Sequence, residues 1–216
     1  VWNYDTGNSG WGNNEIQNYT TSTNNVYIAD TSWDSESSDG RCLAIKAQRE
    51  NGQITSGRLT TKGKQFARYG KIECKMRVQN GSQSGVWPAF WMMGDNDKEW
   101  PACGEIDIME MGEQSGMAAG DSEKQVNTAI HYGPSAAAHE QQYYKANVAN
   151  SLQDGNYHTY SLDWDENNLT ISIDNVKFHT FDISSNTYFH DNFYILFNLA
   201  VGGADRKSTR LNSSHL

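Results

Sequence analysis

The sequence predicts an all-β protein, built as a jelly-roll sandwich of two antiparallel sheets. Apolar residues recur with a period of two in many short segments, and turn-forming residues separate these segments. Asn51-Gly52 and Asn80-Gly81 supply residues that tolerate positive φ, and Asp174-Asn175 lies between two strand patterns as a hairpin tip would. Many strands of modest length with such turns are typical of a sandwich.

Segments with this alternation extend over most of the chain. In chain order they include RCLAIKAQ, KIECKMRV, VWPAFWMM, EIDIME, HTYSLDW, LTISID, VKFHTF and FYILFNLAV. The segment SAAAHEQQYYKANVAN, residues 135–150, contains helix-forming residues but no apolar stripe with a period of 3.6. We therefore expect a long loop with about one helical turn there.

Length and composition indicate one domain over residues 1–204. The chain has 216 residues, and no shift in composition marks a linker. Residues 205–216 are polar and continue no strand pattern, so we expect an unrelated or disordered tail. The net charge of −9 argues against a nucleic-acid partner, because neutralising phosphates needs clustered Lys and Arg.

The cysteines and the apolar segments narrow the class of protein. Cys42, Cys74 and Cys103 lack metal-ligand spacing; Cys42 and Cys74 could pair, but buried free thiols are the preferred interpretation. No apolar run approaches the roughly 18 residues of a membrane span. No signal peptide is recognisable, so we expect the chain to be a mature or incomplete piece of a longer product. With 12% aromatic and 20% charged residues, the composition suits a secreted, extracellular β protein, which we expect to be a monomer without a membrane partner.

The segment WPACGEIDIMEMGE contains three acids at uneven spacing, Glu105, Asp107 and Glu110. Residues two apart on a strand point the same way, so Glu105 and Asp107 share one face. In a regular strand Glu110 would point into the core, where an unpaired carboxylate is very costly to bury. A β-bulge at Ile108-Met109 would absorb the extra residue, return Glu110 to the face of the other acids and turn Met111 to the core.

With this bulge, the carboxyls of Glu105 and Glu110 could approach the roughly 5–5.5 Å separation that a retaining glycosidase needs. Asp107 adds like-charge repulsion, which favours a proton on a neighbour and suits Glu110 to the role of an acid. The alternative is that the acids only mark the solvated face of an amphipathic strand. Three acids crowded just after a tryptophan-rich strand favour a catalytic set.

The strand VWPAFWMM is apolar on both faces. Alternation places Trp87 and Trp91 on one face, and Phe90 and Met92 on the other. The second sheet would cover one face and a bound sugar the other, since indoles suit the C–H faces of pyranose rings. Both tryptophans could instead be core residues, whereas Trp100, just before the acids, is expected near any sugar on which they act.

Three polar residues have a simpler explanation on the residues alone. His131 in NTAIHYG is better explained as a part-buried core histidine, and Arg58 in TSGRLTT as a surface residue. Asn14, beside Glu15, suits a turn.

GVWPAFWMM followed by WPACGEIDIMEMG closely resembles the family 16 glycoside hydrolases, specifically their laminarinase-like endo-β-1,3-glucanases. The resemblance spans roughly residues 2–203 and includes WNYDTGNSGWGNNEIQNYT, TSGRLTTKGKQFARYGKIECKMRV, AIHYG, YHTYSLDW and NLAVGG. It implies a β-jelly roll whose concave face holds an open cleft. A β-glucan polysaccharide would be hydrolysed internally there, with retention of configuration.

The resemblance also implies residue roles. Glu105 would be the nucleophile, Asp107 the carboxylate that assists it, and Glu110 the general acid and then base. The two-residue gap before Glu110 resembles the bulged branch of the family, whereas lichenases and xyloglucan transglycosylases have one residue there. The expected substrate-binding residues are Trp87, Trp91, Trp100, His131, Arg58 and Asn14.

The resemblance leaves several expectations open. Family members usually have a further strand before WNYDTG and another after NLAVGG, so we expect a domain that lacks terminal strands and exposes sheet edges. No cofactor is expected for catalysis, and a structural calcium is possible, as in some relatives, although no calcium-loop pattern is present. Substrate choice depends on loop shape, so mixed-linkage β-1,3-1,4-glucan and a red-algal galactan are alternatives to laminarin. A non-catalytic β-glucan-binding module is the alternative from another class, although such proteins typically lose the acids.

Overall fold

The computed structural model describes residues 1–32, 34–35, 37–79 and 85–203. The Asn80-Gly81 turn and the tail at 205–216 lie outside the described residues. The described strands are β1 Asn3–Tyr4, β2 Asn18–Tyr19, β3 Val26–Asp30, β4 Arg41–Ile45, β5 Gln48–Glu50, β6 Gln53–Ser56, β7 Arg58–Thr60, β8 Gly70–Met76, β9 Val86–Gly94, β10 Glu105–Glu110, β11 Gln125–Tyr132, β12 Glu140–Asn147, β13 His158–Trp164, β14 Asn168–Ile173, β15 Val176–Asp182 and β16 Phe193–Val201. One α-helix, α1 at Gln114–Ala119, and two short 3₁₀ helices, Ala136–Ala138 and Thr187–Phe189, connect them.

Two large antiparallel sheets form the body of the protein. A seven-stranded sheet has the order β1-β7-β16-β9-β10-β11-β12, and a four-stranded sheet has the order β15-β14-β13-β8. Two smaller sheets, β2-β6-β5 and β3-β4, accompany them, and the short β2 to β6 pairing is parallel. The predicted all-β sandwich is confirmed, with these additional small sheets.

The main core lies between the two large sheets. Phe90, Met92 and Ile106 of the seven-stranded sheet pack in one buried cluster with Leu162 and Ile171 of the four-stranded sheet. Each such side chain contributes about 1.5–3 kcal/mol when it is fully removed from water. The alternation of the sequence therefore determines which face of each strand is covered.

The opposite face of the seven-stranded sheet, here called the outer face, carries a separate apolar group. Ala89, Trp91, Tyr194 and Leu196 are buried together, and Met93 packs against them. The predicted division of the tryptophan-rich strand into two faces is thus confirmed. This outer face is the surface on which the acidic residues lie.

Several predicted strands and turns agree with the structure. EIDIME, HTYSLDW and FYILFNLAV coincide with β10, β13 and β16. The expected positive φ angles are present at Asn51 (50°) and Gly52 (82°), and at Asp174 (50°) and Asn175 (65°), the turns that join β5 to β6 and β14 to β15. Backbone torsions that Asn, Asp and Gly tolerate thus determine where these hairpins reverse.

The predicted long loop over residues 135–150 is wrong. Its first part contains the 3₁₀ helix Ala136–Ala138, and its second part is the strand β12, which pairs with β11 along its whole length. β12 is an edge strand whose residues are alternately exposed and half-buried. An edge strand with one partner needs little apolar sequence, so its polar residues resembled a loop.

The cysteines are free. Cys42 lies in β4, Cys74 in β8 and Cys103 in the loop before β10, and no disulfide joins them. The preferred interpretation as free thiols is confirmed, whereas the expected burial is complete only for Cys103, and Cys42 and Cys74 are half-buried. Burial raises the pKa of the Cys74 thiol to about 11, so this side chain is an inert apolar group at neutral pH.

β8 and β4 are two of the strands that lie at the ends of their sheets in the described part of the chain. β8 pairs with β13, and β4 pairs with β3. Both strands border a groove of about 970 Å³ whose lining includes Pro88, Phe197 and Leu199 of the seven-stranded sheet. The expected absence of terminal strands stays a prediction. Among the described helices, none combines the length and hydrophobicity needed to cross a bilayer.

Candidate active site

The three acids of β10 share the outer face because of a β-bulge. Glu105 pairs with Met93, Asp107 with Trp91 and Glu110 with Ala89, and these three partners all point to the outer face. The register shifts between Asp107 and Met109, so that Ile108 and Met109 occupy the space of one residue. The predicted bulge at Ile108-Met109 is confirmed.

The bulged residues fill the core while the acids stay outside. Ile108, Met109 and Met111 are each 0% exposed and belong to the main core cluster. The same register shift is seen against β11, where Asp107 pairs with Ala129 and Glu110 with Asn127. One extra residue therefore restores the alternation that the spacing of the acids interrupts.

Glu105 lies in a strongly perturbing electrostatic environment. Trp100 Nε1 donates a hydrogen bond to its Oε2 at 2.9 Å, and His131 Nε2 lies 4.0 Å from its Oε1. Burial, followed by the charge of Asp107, raises the pKa of Glu105 to about 8, and Glu110 adds to this effect. The charge of His131 and the Trp100 hydrogen bond oppose the rise.

Asp107 is the most buried of the acids, at 4% exposure. Its Oδ2 lies 3.1 Å from His131 Nε2, a charge-assisted contact. The Thr128 hydroxyl donates to its backbone carbonyl at 2.5 Å and fixes this part of the strand. One nitrogen of His131 therefore approaches the carboxyls of both Asp107 and Glu105.

Glu110 is held by neutral donors. Trp87 Nε1 donates to its Oε1 at 2.6 Å, and Asn127 Nδ2 donates to its Oε2 at 2.5 Å. Sequence reasoning missed Asn127. Its position four residues before His131 on the same strand face was an available signal, because alternation places both side chains towards the acids.

The loop before β10 brings Trp100 to Glu105. The N–H of Gly94 donates to the carbonyl of Gly104 at 3.0 Å, and a Cβ at position 94 would overlap the carbonyl of Cys103. Only glycine permits this close approach of the loop to β9. Trp100 itself is 41% exposed, so much of its indole remains open to solvent beside the acid that it contacts.

Trp91 and Arg58 lie in the outer face next to the acids. Trp91 is 7% exposed, and its Nε1 donates to Asn198 Oδ1 at 2.7 Å. The Arg58 guanidinium lies 4.7 Å from the Trp91 ring centroid and forms an ion pair with Asp5 at 3.0 Å. The structure gives both residues a packing role, and their contact with substrate stays a prediction.

His131 has a second histidine behind it. Its Nδ1 lies 2.9 Å from Nε2 of His139, and the His139 ring lies 4.8 Å from the Trp100 ring. Sequence reasoning missed His139, because it precedes β12 in the segment interpreted as a loop. Only the spatial return of β12 to β11 brings it to the site, and no local pattern indicates that return.

Glu105, Asp107 and His131 are also close enough to share a cation. Their ligand atoms all lie within 4.8 Å of one another. The contact between His131 and Asp107 accounts for this grouping, and we interpret it as a hydrogen-bonded set. We assign no metal to these residues.

The sequence profile described as "Glycosyl hydrolases family 16" matches residues 14–210. The chain belongs to glycosyl hydrolases family 16. The match includes β10 with its three acids, both flanking strands and the loop that carries Trp100. The resemblance expected from the sequence is therefore confirmed at the level of the family.

Two relatives of the chain are named as glucan endo-1,3-beta-glucosidases. The chain is 32% identical to the "Glucan endo-1,3-beta-glucosidase" of Cryptopygus antarcticus, over 94% of this chain and 75% of that protein. It is also 32% identical to the "Glucan endo-1,3-beta-glucosidase A1" of Niallia circulans, over 94% of this chain but only 31% of that protein. The chain thus spans about a third of the second relative.

A solved structure in the family is more similar in sequence. A Bacteroides ovatus mixed linkage glucan PUL GH16 protein, in complex with a G4G4G3G product, is 68% identical. The match covers 99% of this chain and 86% of that chain, with a TM-score of 0.89. These relatives support a glycoside hydrolase activity of the endo-glucanase type.

Asn14 is the first residue of the family 16 match and lies in the turn that precedes Glu15. It is exposed and has a φ of 57°, a left-handed conformation that Asn tolerates. Glu15 is buried and accepts hydrogen bonds from Gln17 at 2.6 Å and from Tyr19 at 3.1 Å. The structure confirms Asn14 as a turn residue, and its contact with substrate stays a prediction.

Proposed function

We propose that the protein is an endo-acting, retaining β-glucan hydrolase whose preferred substrate is mixed-linkage β-1,3-1,4-glucan. The observation that carries the reaction is the bulge, which puts Glu105, Asp107 and Glu110 on one face with different partners. The 68% identity to a protein described with a mixed linkage glucan supports the substrate.

In the proposed double displacement, Glu105 is the nucleophile. A carboxylate oxygen of Glu105 attacks the anomeric carbon, the glycosidic C–O bond breaks, and Glu110 gives its proton to the departing oxygen. A water molecule then loses a proton to Glu110, and its oxygen attacks the same carbon. The ester bond to Glu105 breaks, and the product keeps the configuration of the substrate.

Glu105 can act as the nucleophile only as a carboxylate, so its surroundings must allow it to lose its proton. Its pKa of about 8 means that burial and the neighbouring acids favour the protonated form in the free protein. The Trp100 N–H and the Nε2 side of His131 favour the carboxylate, and they lie 2.9 and 4.0 Å from its oxygens. We propose that Asp107, which contacts His131, assists the nucleophile as the proton leaves it.

The reaction is tested with Glu105→Gln, which keeps the shape of the side chain but cannot attack. We expect reducing-sugar release from lichenan to fall by at least about 10³-fold, since removal of a nucleophile abolishes most of the catalysis. Glu73→Gln, an exposed acid on β8, is the matched control and should retain full activity. Unchanged activity in Glu105→Gln would exclude the assignment.

Stereochemistry provides an independent test of retention. Proton NMR of a fresh digest should show the β-anomer of the new reducing end first, with the α-anomer appearing later by mutarotation. An α-anomer that appears first would contradict the double displacement.

Laminarin is the second candidate substrate, favoured by the two glucan endo-1,3-beta-glucosidase relatives. Initial rates on lichenan, laminarin and agarose, at equal mass concentrations, distinguish the candidates. We expect the order lichenan, laminarin, agarose. A faster rate on laminarin would reverse the substrate proposal without affecting the reaction, and tight binding with no hydrolysis would favour a binding module.

We further propose that the protein acts outside the cell, as a monomer and without a cofactor for catalysis. The proposed substrate is a polymer, so its first cleavage suits an extracellular enzyme. A structural calcium stays a prediction, which melting curves with and without a chelator would test.

A further inference from the structure

His131 contacts the two acids at the nucleophile end of β10 through a single nitrogen. Its Nε2 lies 3.1 Å from Asp107 and 4.0 Å from Glu105. An ionised Asp107 can only accept a hydrogen bond, so Nε2 of His131 carries the proton when it makes this contact. The neutral imidazole has one N–H, and its Nδ1 is then an acceptor that needs a donor.

His139 is the group in position to be that donor. Its Nε2 lies 2.9 Å from Nδ1 of His131. The two ring planes are 20° apart and the centroids are 5.1 Å apart, so the rings meet through their nitrogen edges in a nearly common plane. This is the geometry in which an N–H of one imidazole points at the lone pair of the other.

Trp100 fixes the other side of His139. The centroids of these two rings are 4.8 Å apart, whereas Trp100 and His131 are 6.3 Å apart. Trp100 also donates to Glu105. His139 therefore lies behind His131 and beside Trp100, which are the two groups that hold the nucleophile end of the site.

We propose that His139 is a positioning residue for the reaction: by donating from Nε2 to Nδ1 of His131, it fixes the tautomer whose Nε2–H faces Asp107 and Glu105. This inference rests on the proposed function, because it deepens the role of the same site. The contacts of His139 in the site are with His131 and Trp100, so it acts through His131.

The electrostatic surroundings agree with a neutral His139. Burial lowers the pKa of His139, and a charge on His131 would lower it further. The groups that face the pair are Trp100 from the loop before β10, and Glu105 and Asp107 from β10 itself. A neutral His139 can present its single N–H at Nε2 and leave Nδ1 unprotonated.

Two substitutions of His139 distinguish the effect of its hydrogen bond from the effect of the space that its ring fills. His139→Leu fills space but cannot donate, whereas the amide of His139→Gln can donate to His131. We expect kcat on lichenan to fall about 10-fold in His139→Leu with KM changed less than about twofold, the loss expected for one hydrogen bond. His139→Gln should recover most of kcat.

The tautomer is measured directly from the imidazole nitrogen shifts of His131 in ¹⁵N-labelled protein. Wild type and His139→Gln should show the Nε2–H form, and His139→Leu should show a mixture or the Nδ1–H form. His190→Leu is the matched control, because His190 is another half-buried histidine whose Nδ1 is bonded to a neighbour, the Tyr69 hydroxyl at 3.0 Å. It should leave both the His131 shifts and kcat unchanged.

An unchanged His131 tautomer in folded His139→Leu would overturn the proposal, and so would equal kcat losses in the Leu and Gln variants. If wild type hydrolyses no glucan, the proposed function fails, and the catalytic part of this inference fails with it. The nitrogen shifts still show whether the His139 hydrogen bond sets the tautomer. Failure of the function and failure of the hydrogen bond are therefore distinguishable.

Discussion

The two ends of β10 hold their glutamates in opposite ways. Glu105 is surrounded by groups that titrate or carry charge, namely Asp107 and His131, and by one indole N–H from Trp100. Glu110 receives two hydrogen bonds from neutral side chains, an indole and an amide. The same residue type thus occurs twice on one strand in two different environments.

This difference indicates how one strand could provide two chemical roles. Charged neighbours change the free energy of ionisation, so the state of Glu105 depends on the protonation of its surroundings. Hydrogen bonds from neutral donors mainly fix the orientation of a side chain. The orientation of Glu110 therefore depends less on the charges of neighbouring groups than that of Glu105. Three substitutions test this contrast, beginning with the largest expected effect.

Glu110→Gln should lower lichenan hydrolysis by about 10²–10⁴-fold, the range for loss of a general acid. An aryl oligoglucoside with a dinitrophenolate leaving group needs no proton, so its first step, measured as the burst of phenolate, should be little affected. Equal losses on both substrates would show that Glu110 does not act as the acid. The comparison with Glu105→Gln, which should lose both reactions, tests the separate roles directly.

Glu105→Gln should stabilise the protein at pH 8 by about 1–3 kcal/mol. The substitution removes part of the free-energy cost of holding a charged Glu105 in a buried site beside other acids. Because the folded pKa of about 8 exceeds the unfolded value, the native state binds the extra proton between roughly pH 4 and pH 8. The contribution of Glu105 to the free energy of unfolding of the wild type therefore falls as pH rises from about 4 to about 8. Urea unfolding at pH 4.5 and pH 8 should show the gain growing with pH.

The control for this stability effect is Glu110→Gln. One new amide N–H must face a donor, either Trp87 or Asn127, so we expect a destabilisation of about 1–2 kcal/mol at both pH values. A stabilisation of Glu110→Gln that grows with pH, as large as that of Glu105→Gln, would remove the contrast between the two ends of β10.

Trp87→Phe should have the smallest effect, a loss of about 3–10-fold in kcat/KM, because one of the two neutral donors to Glu110 is removed. Trp164→Phe is the matched control. Trp164 is buried in the four-stranded sheet, and its Nε1 has no hydrogen-bond partner among the described residues. Its substitution should leave kcat/KM unchanged, and an equal loss in both variants would indicate a packing effect.

Local patterns predicted the parts of the fold that depend on local burial. The strand EIDIME and its bulge follow from the cost of burying Glu110, and the two faces of β9 follow from alternation. These features depend on neighbours within a few residues. The sequence therefore contained enough information to place three acids on one face.

Features that depend on distant chain segments were not predictable in this way. Trp91 donates to Asn198, which is 107 residues away, and His139 reaches His131 only because β12 returns along β11. β12 itself has little apolar sequence, since it is an edge strand with one partner. Such contacts depend on how strands are ordered in the sheet, and no spacing within a segment records that order.

The bulge at Ile108-Met109 also has an evolutionary consequence. A strand with one residue between the second and third acids keeps all three on one face by plain alternation, and a strand with two residues keeps them there by bulging. Loss of one codon at this point therefore leaves each acid facing the same way, at the expense of one core side chain. We expect such a deletion to be tolerated here in descendants of this gene, whereas a single-residue indel between Glu105 and Asp107 would separate the acids.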